Sequence, residues 1–274
     1  AACKVIREVK PKIALFGQSV FLFPTPLKEM ADAAKEVDAK VMYDGAHVLG
    51  LIAGGEFQDP LREGADVMTG SSHKTFPGPQ GGFLLSSSED EVFQKRLNNA
   101  MFPGVCSSYH LHHVAGKVMA LSEFQEYGAA YAKDTVRNAK AFAQALAAEG
   151  FDVLAESRGY TASHQVLTRH GDTDSGAGAK AAQLLEDGGI VTNMNMLPGD
   201  TKALTPSGLR LGVQELTRVG FTPDEMQDVA QLYARILIHG EDPSKVRIDV
   251  KELKSQFQTI RYCYNEEGRS GYPL

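Results

Sequence analysis

The lysine at position 74 has neighbours that suit covalent chemistry. It follows His73 in "MTGSSHKTFPGPQGG", residues 68 to 82, after small hydroxyl residues and before a loop rich in Gly and Pro. A neutral lysine amine attacks carbonyl carbons and forms Schiff bases, and burial or nearby cations favour the neutral amine. Lys74 is therefore a candidate nucleophile, although a single His-Lys pair usually lies on a solvated surface.

Two further apolar segments precede this one, and polar residues follow each of them. The segment 13–16 reads as a buried strand leading to Ser19, and "KVMYD" ends at Asp44, with His47 three residues later. A helical pattern, "PLKEMADAAKEVDA", separates the two. Strand, helix and strand in this order predict a covered parallel sheet, and such sheets bind ligands at the carboxyl ends of their strands.

Together these strand ends predict a site for pyridoxal 5′-phosphate (PLP). This cofactor uses a lysine and a carboxylate that keeps its pyridine nitrogen protonated, so that the ring can accept electrons. Asp44 is the candidate carboxylate, His47 could lie against the same ring, and the Ser19 hydroxyl suits the phenolic oxygen. An Asp-Gly pair alone is usually a turn, so the prediction depends on the order of these residues along the chain.

A second candidate lies in "SGLRLGVQELTRVGF", where Arg210 stands between Leu209 and Leu211 in a short apolar strand. Burying an unpaired arginine is costly, so an anionic partner is expected. A substrate carboxylate would suit the planar guanidinium, which binds it through two parallel hydrogen bonds. An ordinary bridge to Asp or Glu is the alternative.

Composition excludes several classes of protein. The net charge of −6 argues against a nucleic-acid surface, and no apolar run is long enough to span a bilayer. Three widely separated cysteines without metal-ligand spacing indicate free thiols in a reducing cytoplasm. They are Cys3, Cys106 and Cys263.

The remaining histidines are not predicted to bind metal. In "YHLHHVAG", His112 and His113 should point apart on a helix, and no carboxylate follows at ligand spacing. With His110 they are therefore interpreted as surface residues. His164 is expected to pack or to form a hydrogen bond at the start of a strand.

The chain is predicted to have two domains, at residues 1–125 and 126–274. A long helical stretch ends at Gly150, and alternating strand and helix patterns beyond it indicate a smaller α/β domain. The segment 260–274 is expected to be a surface extension. Because the chain begins with Ala rather than Met, it is interpreted as truncated or incomplete.

Five motifs resemble, in order, those of the serine hydroxymethyltransferase family. They are "YDGAHVLGLIAGG", "TGSSHKTFPGPQGG", "NNAMFPG", "VAGKVMALSEF" and "SGLRLGVQELTRVGF". The resemblance implies an α/β fold like that of aspartate aminotransferase, with part of a large mixed-sheet domain followed by the small C-terminal domain. It also implies a PLP enzyme that interconverts serine and glycine with tetrahydrofolate, through aldimine and quinonoid intermediates, as a homodimer or higher oligomer.

The resemblance also implies roles for individual residues. Lys74 and His73, the expected catalytic residues, correspond to the Schiff-base lysine and its neighbour. Arg210 corresponds to the arginine that binds the substrate carboxylate. Asn195 corresponds to an asparagine that contacts the pterin. The cofactor-binding residues would be Lys74, Asp44, His47, Ser19 and Ser71.

Three departures from the family pattern qualify these roles. The family's segment upstream of "AACKV" is absent, so a separate chain carrying that segment is a possible partner. Gln80 stands where the family has arginine, which removes a positive charge near the cofactor. The glycine-rich phosphate segment reads "FPGVCSSY", where backbone N–H groups of Ser107 and Ser108 could still bind phosphate with less conformational freedom.

Two alternatives remain open at this stage. The last two departures resemble a branch of the same fold that performs threonine aldolase or transaldolase chemistry without folate, whereas Asn195 favours a folate contact. The chain could also be a non-catalytic partner, although the intact Asp44, His73, Lys74 and Arg210 oppose this.

Overall fold

A four-stranded sheet forms the centre of the first of two structural units, residues 1–129. In the computed structural model, which describes residues 1–264, the strands follow the order β1-β2-β3-β4. The first three are parallel and β4 is antiparallel to β3. The strands are β1 Ile13–Gly17, β2 Lys40–Asp44, β3 Val67–Ser71 and β4 Gly82–Leu85.

Helices pack on this sheet through the apolar stripes that the sequence predicted. Leu27, Met30, Ala31 and Ala34 of the second helix are buried, as its helical period requires. The first helix is tied to it by Arg7, which forms two hydrogen bonds with the carboxylate of Glu36. The helices are α1 Ala2–Val9, α2 Leu27–Lys35, α3 Leu49–Ala53, α4 Glu91–Asn99 and α5 Leu111–Ala148, with a π-helical turn at Ala100–Val105.

The expectation that segment 13–16 is a buried strand is wrong for one face of it. Ile13 and Leu15 are 62% and 61% exposed, whereas Ala14 is buried. Ile13 and Leu15 lie on the same face of β1, because residues two apart on a strand share a face, and within residues 1–264 this face is left uncovered.

The second unit, described from residue 130 to 264, contains a separate antiparallel sheet in the order β5-β6-β8-β7. Its helices α6 and α8 bury apolar side chains with the sheet in one core, together with the later turns of α5. The elements are β5 Asp152–Val153, β6 Gln165–Arg169, α6 Ala177–Asp187, β7 Asn193–Asn195, β8 Gly208–Gly212, α7 Gln214–Arg218, α8 Pro223–Leu237 and α9 Pro243–Ser255, with a 3₁₀ turn at Glu156–Arg158.

Local sequence explains where several of these helices begin and end. Thr222 and Glu225 form a capping box at the start of α8, with Pro223 in its first turn. Gly150 has a φ of +96°, which ends the long helix α5 as predicted. Among residues 1–264, no helix is both long enough and apolar enough to cross a membrane.

The segment after α9 corrects another expectation. Residues 265–274 lie outside the described part of the chain, but residues 260–264 are packed rather than extended into solvent. Tyr262 donates a hydrogen bond to Asp134, Arg218 donates to the Tyr262 carbonyl, and Cys263 is buried. Aromatic and thiol side chains in this segment have apolar surface to bury, which explains the packing.

Candidate active site

Lys74 and His47 meet between the loops that follow two neighbouring strands. Lys74 Nζ lies 3.2 Å from His47 Nε2, and both side chains are half-buried. The parallel pairing of β2 with β3 aligns Asp44 with Thr69, which brings the two loops side by side. An amine and an imidazole at this distance form a hydrogen bond, so a proton can pass between them.

Thr75 fixes the geometry of this contact. Its buried hydroxyl donates to the His47 carbonyl and accepts from the Gly50 N–H, each at 3.0 Å. A Cβ at Gly50 would lie 2.3 Å from the Thr75 carbonyl oxygen, so only glycine permits this close approach. Sequence reasoning missed Thr75, and a β-branched hydroxyl residue directly after the lysine was the available signal.

Asp44 ends β2 and lies against the end of β1. Its Oδ1 accepts a hydrogen bond from the Ala46 N–H at 2.9 Å, which shapes the turn that leads to His47. Gly17, at the end of β1, has a φ of +134°, and a Cβ there would lie 2.4 Å from the Asp44 carbonyl oxygen. The exposed Ser19 follows two residues later, so the first three strand ends carry the residue types that the sequence predicted.

His73 faces the glycine-rich loop that follows Lys74. Its Nδ1 lies 3.2 Å from the Gly81 carbonyl and 3.3 Å from the Gly81 N–H, so the tautomer decides which of the two contacts is a hydrogen bond. Ser72 closes the same loop, because its hydroxyl donates to the Pro79 carbonyl and its N–H to the Gly81 carbonyl. Ser71, the last residue of β3, is half-buried and pairs with Gly82 of β4. His73 therefore orders the loop beside Lys74.

Ser107 and Ser108 lie outside this group of contacts. Both are exposed, in the segment between the π-helical turn and α5. Gln80 is exposed as well, at the outer side of the glycine-rich loop. Within the described residues, the first unit brings Lys74 into contact with His47. Asp44 lies at the end of the strand that leads to His47, and the two serines lie in a different, exposed segment.

Arg210 and Asn195 lie on one sheet of the second unit. Arg210 belongs to β8 and is half-buried, and burial lowers the pKa of its guanidinium. Its neighbours Leu209 and Leu211 are fully buried in the core. Successive side chains of a strand point to opposite faces, so Arg210 lies on the face opposite the core. Asn195 ends β7, where its Nδ2 donates to the Met196 carbonyl at 2.6 Å.

The cluster of three histidines corrects one expectation. The rings of His112 and His113 lie 4.4 Å apart rather than pointing away from each other, and His110 lies 5.4 Å from each. Desolvation lowers the pKa of His113, and the positive charges of its neighbours add to the effect. Among residues 1–264, no group of His, Cys, Asp and Glu side chains has the arrangement of a metal site. His164 is buried at the start of β6, as a packing role requires.

Comparison with known proteins identifies the family. The model of the family described as serine hydroxymethyltransferase matches residues 2–233. The chain belongs to the serine hydroxymethyltransferase family. Its predicted membership is thus confirmed.

Serine hydroxymethyltransferases of Pyrococcus and Thermococcus species are among the similar proteins. The chain is 57% identical to the enzyme of Pyrococcus furiosus over 266 residues, which are 96% of this chain and 62% of the relative. It is 55% identical to the enzyme of Thermococcus kodakarensis over 274 residues, which are 99% of this chain and 63% of that relative. The chain thus spans somewhat less than two thirds of these family members.

A solved structure confirms the predicted fold class. The L-threonine transaldolase of Pseudomonas fluorescens, solved in its internal aldimine state, matches with a TM-score of 0.88 and 31% identity. The match covers 97% of this chain and 60% of that protein. This serine hydroxymethyltransferase family member therefore has a mixed α/β fold of the aspartate-aminotransferase type. The roles of individual site residues stay predictions.

Proposed function

We propose that the protein performs PLP-dependent transfer of a hydroxymethyl group between serine and glycine, with tetrahydrofolate as co-substrate. The observation that carries the proposal is the 3.2 Å contact between Lys74 Nζ and His47 Nε2, beside the strand that ends in Asp44, in a chain of this family. The donor set fits PLP: it offers an amine for the aldehyde, a carboxylate for the ring nitrogen and hydroxyl groups for the ring oxygen.

Each residue of the first unit has a task in this proposal. PLP, when bound, supplies an aldehyde carbon and a ring that stabilises negative charge at the substrate Cα. Lys74 would hold the cofactor through its amine, and the Asp44 carboxylate would keep a proton on the ring nitrogen. His47, in contact with Lys74 Nζ, would hold or return a proton at that atom. The Ser19 and Ser71 hydroxyls would donate hydrogen bonds to cofactor oxygens.

The other predicted residues would bind phosphate and substrate. Backbone N–H groups of Ser107 and Ser108 would bind the phosphate, and their exposure leaves these groups accessible. Arg210 would orient the amino-acid carboxylate through two parallel hydrogen bonds, and Asn195 would bind the pterin. His73 would keep the glycine-rich loop in place beside Lys74.

Cofactor binding and turnover test the proposal together. The chain is mixed with PLP, alone and with the part of the Pyrococcus furiosus relative that it does not cover, which we term the complementing polypeptide. A long-wavelength absorbance band is expected from the chain. It should disappear in Lys74→Ala and persist in Lys95→Ala, which changes an exposed lysine of the same unit. Glycine formation from serine that requires tetrahydrofolate supports the proposal.

Threonine transaldolase chemistry without folate is the second candidate. The structural match to the Pseudomonas fluorescens transaldolase favours it, as do Gln80 and the Ser107–Ser108 pair. The higher identity to the serine hydroxymethyltransferases of Pyrococcus furiosus and Thermococcus kodakarensis favours hydroxymethyl transfer. Turnover of threonine that is indifferent to tetrahydrofolate would contradict the first candidate, and a chain that never binds PLP would fit a non-catalytic partner.

Assembly and location complete the proposal. We propose a homodimer or higher oligomer, because a run of exposed apolar side chains lies along the first turns of α5: Leu111, Val114, Val118, Met119 and Leu121.

Complete activity is proposed to need a segment like the complementing polypeptide, in the same or a separate chain. A cytoplasmic location is supported by three cysteines without disulfides.

A further inference from the structure

One carboxylate organises the connection between β7 and β8. Asp200 Oδ2 accepts hydrogen bonds from the Leu197 N–H at 2.9 Å, the Ser207 N–H at 2.9 Å and the Ser207 hydroxyl at 2.8 Å. Its Oδ1 accepts from the Asp174 N–H at 2.8 Å. Asp200 therefore joins both ends of the twelve-residue connection, 196–207, to the loop that precedes α6.

The two ends held by Asp200 are buried. Leu197 is 3% exposed and packs directly over Gly208, where a Cβ would lie 2.4 Å from the Leu197 side chain. Ser207 is fully buried, and its carbonyl accepts from the His170 N–H. Between these ends the connection itself is exposed, with Leu204 86% accessible. The carboxylate thus supplies order where the exposed part of the connection has little packing of its own.

The strands that leave this connection carry the two predicted substrate residues. The register pairs Asn195 with Gly208 and Asn193 with Arg210. Residues two apart on a strand share a face, so Asn195 and Arg210 are diagonal neighbours on one face of the sheet, with Cα atoms about 7–8 Å apart. Asn195 is two residues before Leu197, and Arg210 is three residues after Ser207. A shift at Asp200 would therefore move both side chains.

The charge of Asp200 is needed for this arrangement. The backbone N–H groups of Leu197 and Ser207 hold the pKa of the carboxyl well below its ordinary value, so it is ionised at neutral pH. A second carboxylate reinforces the connection, because Asp174 accepts from the Thr201 N–H and hydroxyl and from the Lys202 N–H, at 2.7 to 2.8 Å. In Asp200→Asn, one of the two oxygens becomes an NH2 group that cannot accept a hydrogen bond. It would face the Asp174 N–H in one orientation of the amide, and the three donors of Leu197 and Ser207 in the other.

We propose that Asp200 is a positioning residue that presets Arg210 and Asn195 for the amino-acid carboxylate and the pterin. This inference rests on the proposed function. Asp200 itself contacts neither ligand; it acts through the two ends of the connection that set the β7–β8 register.

The first test asks whether Asp200 holds the connection, and needs the chain alone. Asp200→Asn should speed hydrogen exchange of the Leu197 and Ser207 amides and shift the Arg210 side-chain Nε–H resonance, while amides of β6 keep their protection. Asp172→Asn, an exposed carboxylate two residues before Asp174, is the matched control and should change none of these. Unchanged exchange in Asp200→Asn would overturn the inference.

The second test asks whether the role concerns substrate binding, and uses the chain with PLP and the complementing polypeptide. Asp200→Asn should weaken glycine binding about tenfold or more with the PLP absorbance band unchanged, and Ser207→Ala should weaken it less. Because Asp200 acts through Arg210, the double variant with Arg210→Lys should bind no more weakly than Arg210→Lys alone. If Arg210→Lys weakens binding and Asp200→Asn does not, the inference fails and the proposed function stands. If neither variant weakens glycine binding, or if the wild type does not bind glycine, both the inference and the proposed function fail.

Discussion

At the scale of single residues, the site depends on side chains that are fixed by backbone groups. Lys74 contacts His47 because the next residue, Thr75, forms hydrogen bonds with the segment that contains His47. The Thr75 hydroxyl donates to the His47 carbonyl and accepts from the Gly50 N–H. In the second unit, Asp200 likewise binds the Leu197 and Ser207 N–H groups at the two ends of the β7–β8 connection. In both cases a buried polar group without a hydrogen-bond partner would be costly, which makes the arrangement specific.

Thr75→Val tests this view, because valine keeps the shape of threonine and removes the hydroxyl. The Gly50 N–H and His47 carbonyl lose a partner, so we expect the free energy of unfolding to fall by about 1–3 kcal/mol. Denaturant titration measures it. Thr173→Val, at an exposed threonine, should change it by about 0.5 kcal/mol or less. Equal stabilities of the two variants would refute the role of Thr75.

We expect His170 to make the stability of the folded chain depend on pH. Burial lowers its pKa from 6.5 to about 4, and its ring is hydrogen-bonded to Thr168 at 2.8 Å. Between these two values the unfolded chain binds a proton that the folded chain does not, so stability falls as the pH falls. The difference between the two pKa values corresponds to about 3 kcal/mol.

The measurement compares urea unfolding at pH 7 and pH 4.5 in the wild type and in His170→Gln. Between pH 7 and pH 4.5, the free energy of unfolding of the wild type should fall by about 2–3 kcal/mol more than that of the variant. His239→Gln, which changes another histidine of the second unit, is the control and should behave like the wild type. A wild type and a His170→Gln variant with the same pH dependence would show that His170 is not held neutral.

At the scale of elements, close backbone contacts join helices to the strands that carry the site. Gly178, in the first turn of α6, lies against Gly208 at the start of β8, where a Cβ would be 2.3 Å from the Gly208 carbonyl oxygen. The neighbouring Gly178 N–H donates to the Pro206 carbonyl. This junction fixes the start of the strand that carries Arg210.

Gly178→Ala should therefore destabilise the chain by about 2 kcal/mol or more, although alanine is the better helix former. Gly188→Ala is the control at the other end of α6. There the added methyl group meets the end of the Ile236 side chain, and the nearest backbone atom, the Leu185 carbonyl oxygen, is 3.2 Å away rather than 2.3 Å, so the expected loss of stability is smaller, about 1 kcal/mol. Thermal unfolding measures the stability of both variants. A Gly178→Ala variant as stable as the wild type would contradict the close packing of Gly178 against Gly208.

The sequence predicted the positions of helices and strands better than it predicted which of their side chains are covered. Apolar runs and helical periods located β1, β2 and β3 of the first sheet and the long helix α5, because these patterns reflect burial directly, whereas β4 was missed. The exposure of Ile13 and Leu15 could not be predicted, since an apolar run does not show whether another element covers each face of the strand. Helix α9 was missed even though Asp242 and Pro243 form an N-terminal signal, because its amphipathic pattern is weak.

The contact between His47 and Lys74 follows from the same patterns, whereas the roles of the site residues stay predictions. Asp44, His47 and Lys74 follow strands, and the sheet rule for ligand sites applies to them. Thr75 and Asp200 act through hydrogen bonds to backbone groups that are distant in sequence, and no spacing reveals such bonds. The tilt of the three histidine rings toward each other depends on side-chain rotamers in the same way.

At the scale of the whole molecule, the exposed apolar side chains of α5 predict self-association. Val118 is 62% exposed within this run, and burying it against a second copy would remove apolar surface from water. Val118→Asp should shift the sedimentation of the chain toward the monomer. Val191→Asp, at an 85% exposed valine of the second unit, should leave it unchanged. A wild-type chain that stays monomeric at micromolar concentration would contradict the proposed oligomer.

We propose that the amine of Lys74 bonds covalently to PLP, and borohydride reduction followed by peptide mass spectrometry tests this bond most directly. Condensation of the amine with the aldehyde releases water, and borohydride reduces the resulting carbon–nitrogen double bond to a stable single bond. We predict that the modified peptide contains Lys74, and that His47→Ala reduces its yield. Modification spread over several exposed lysines, or persisting at the same level in Lys74→Ala, would contradict the claim.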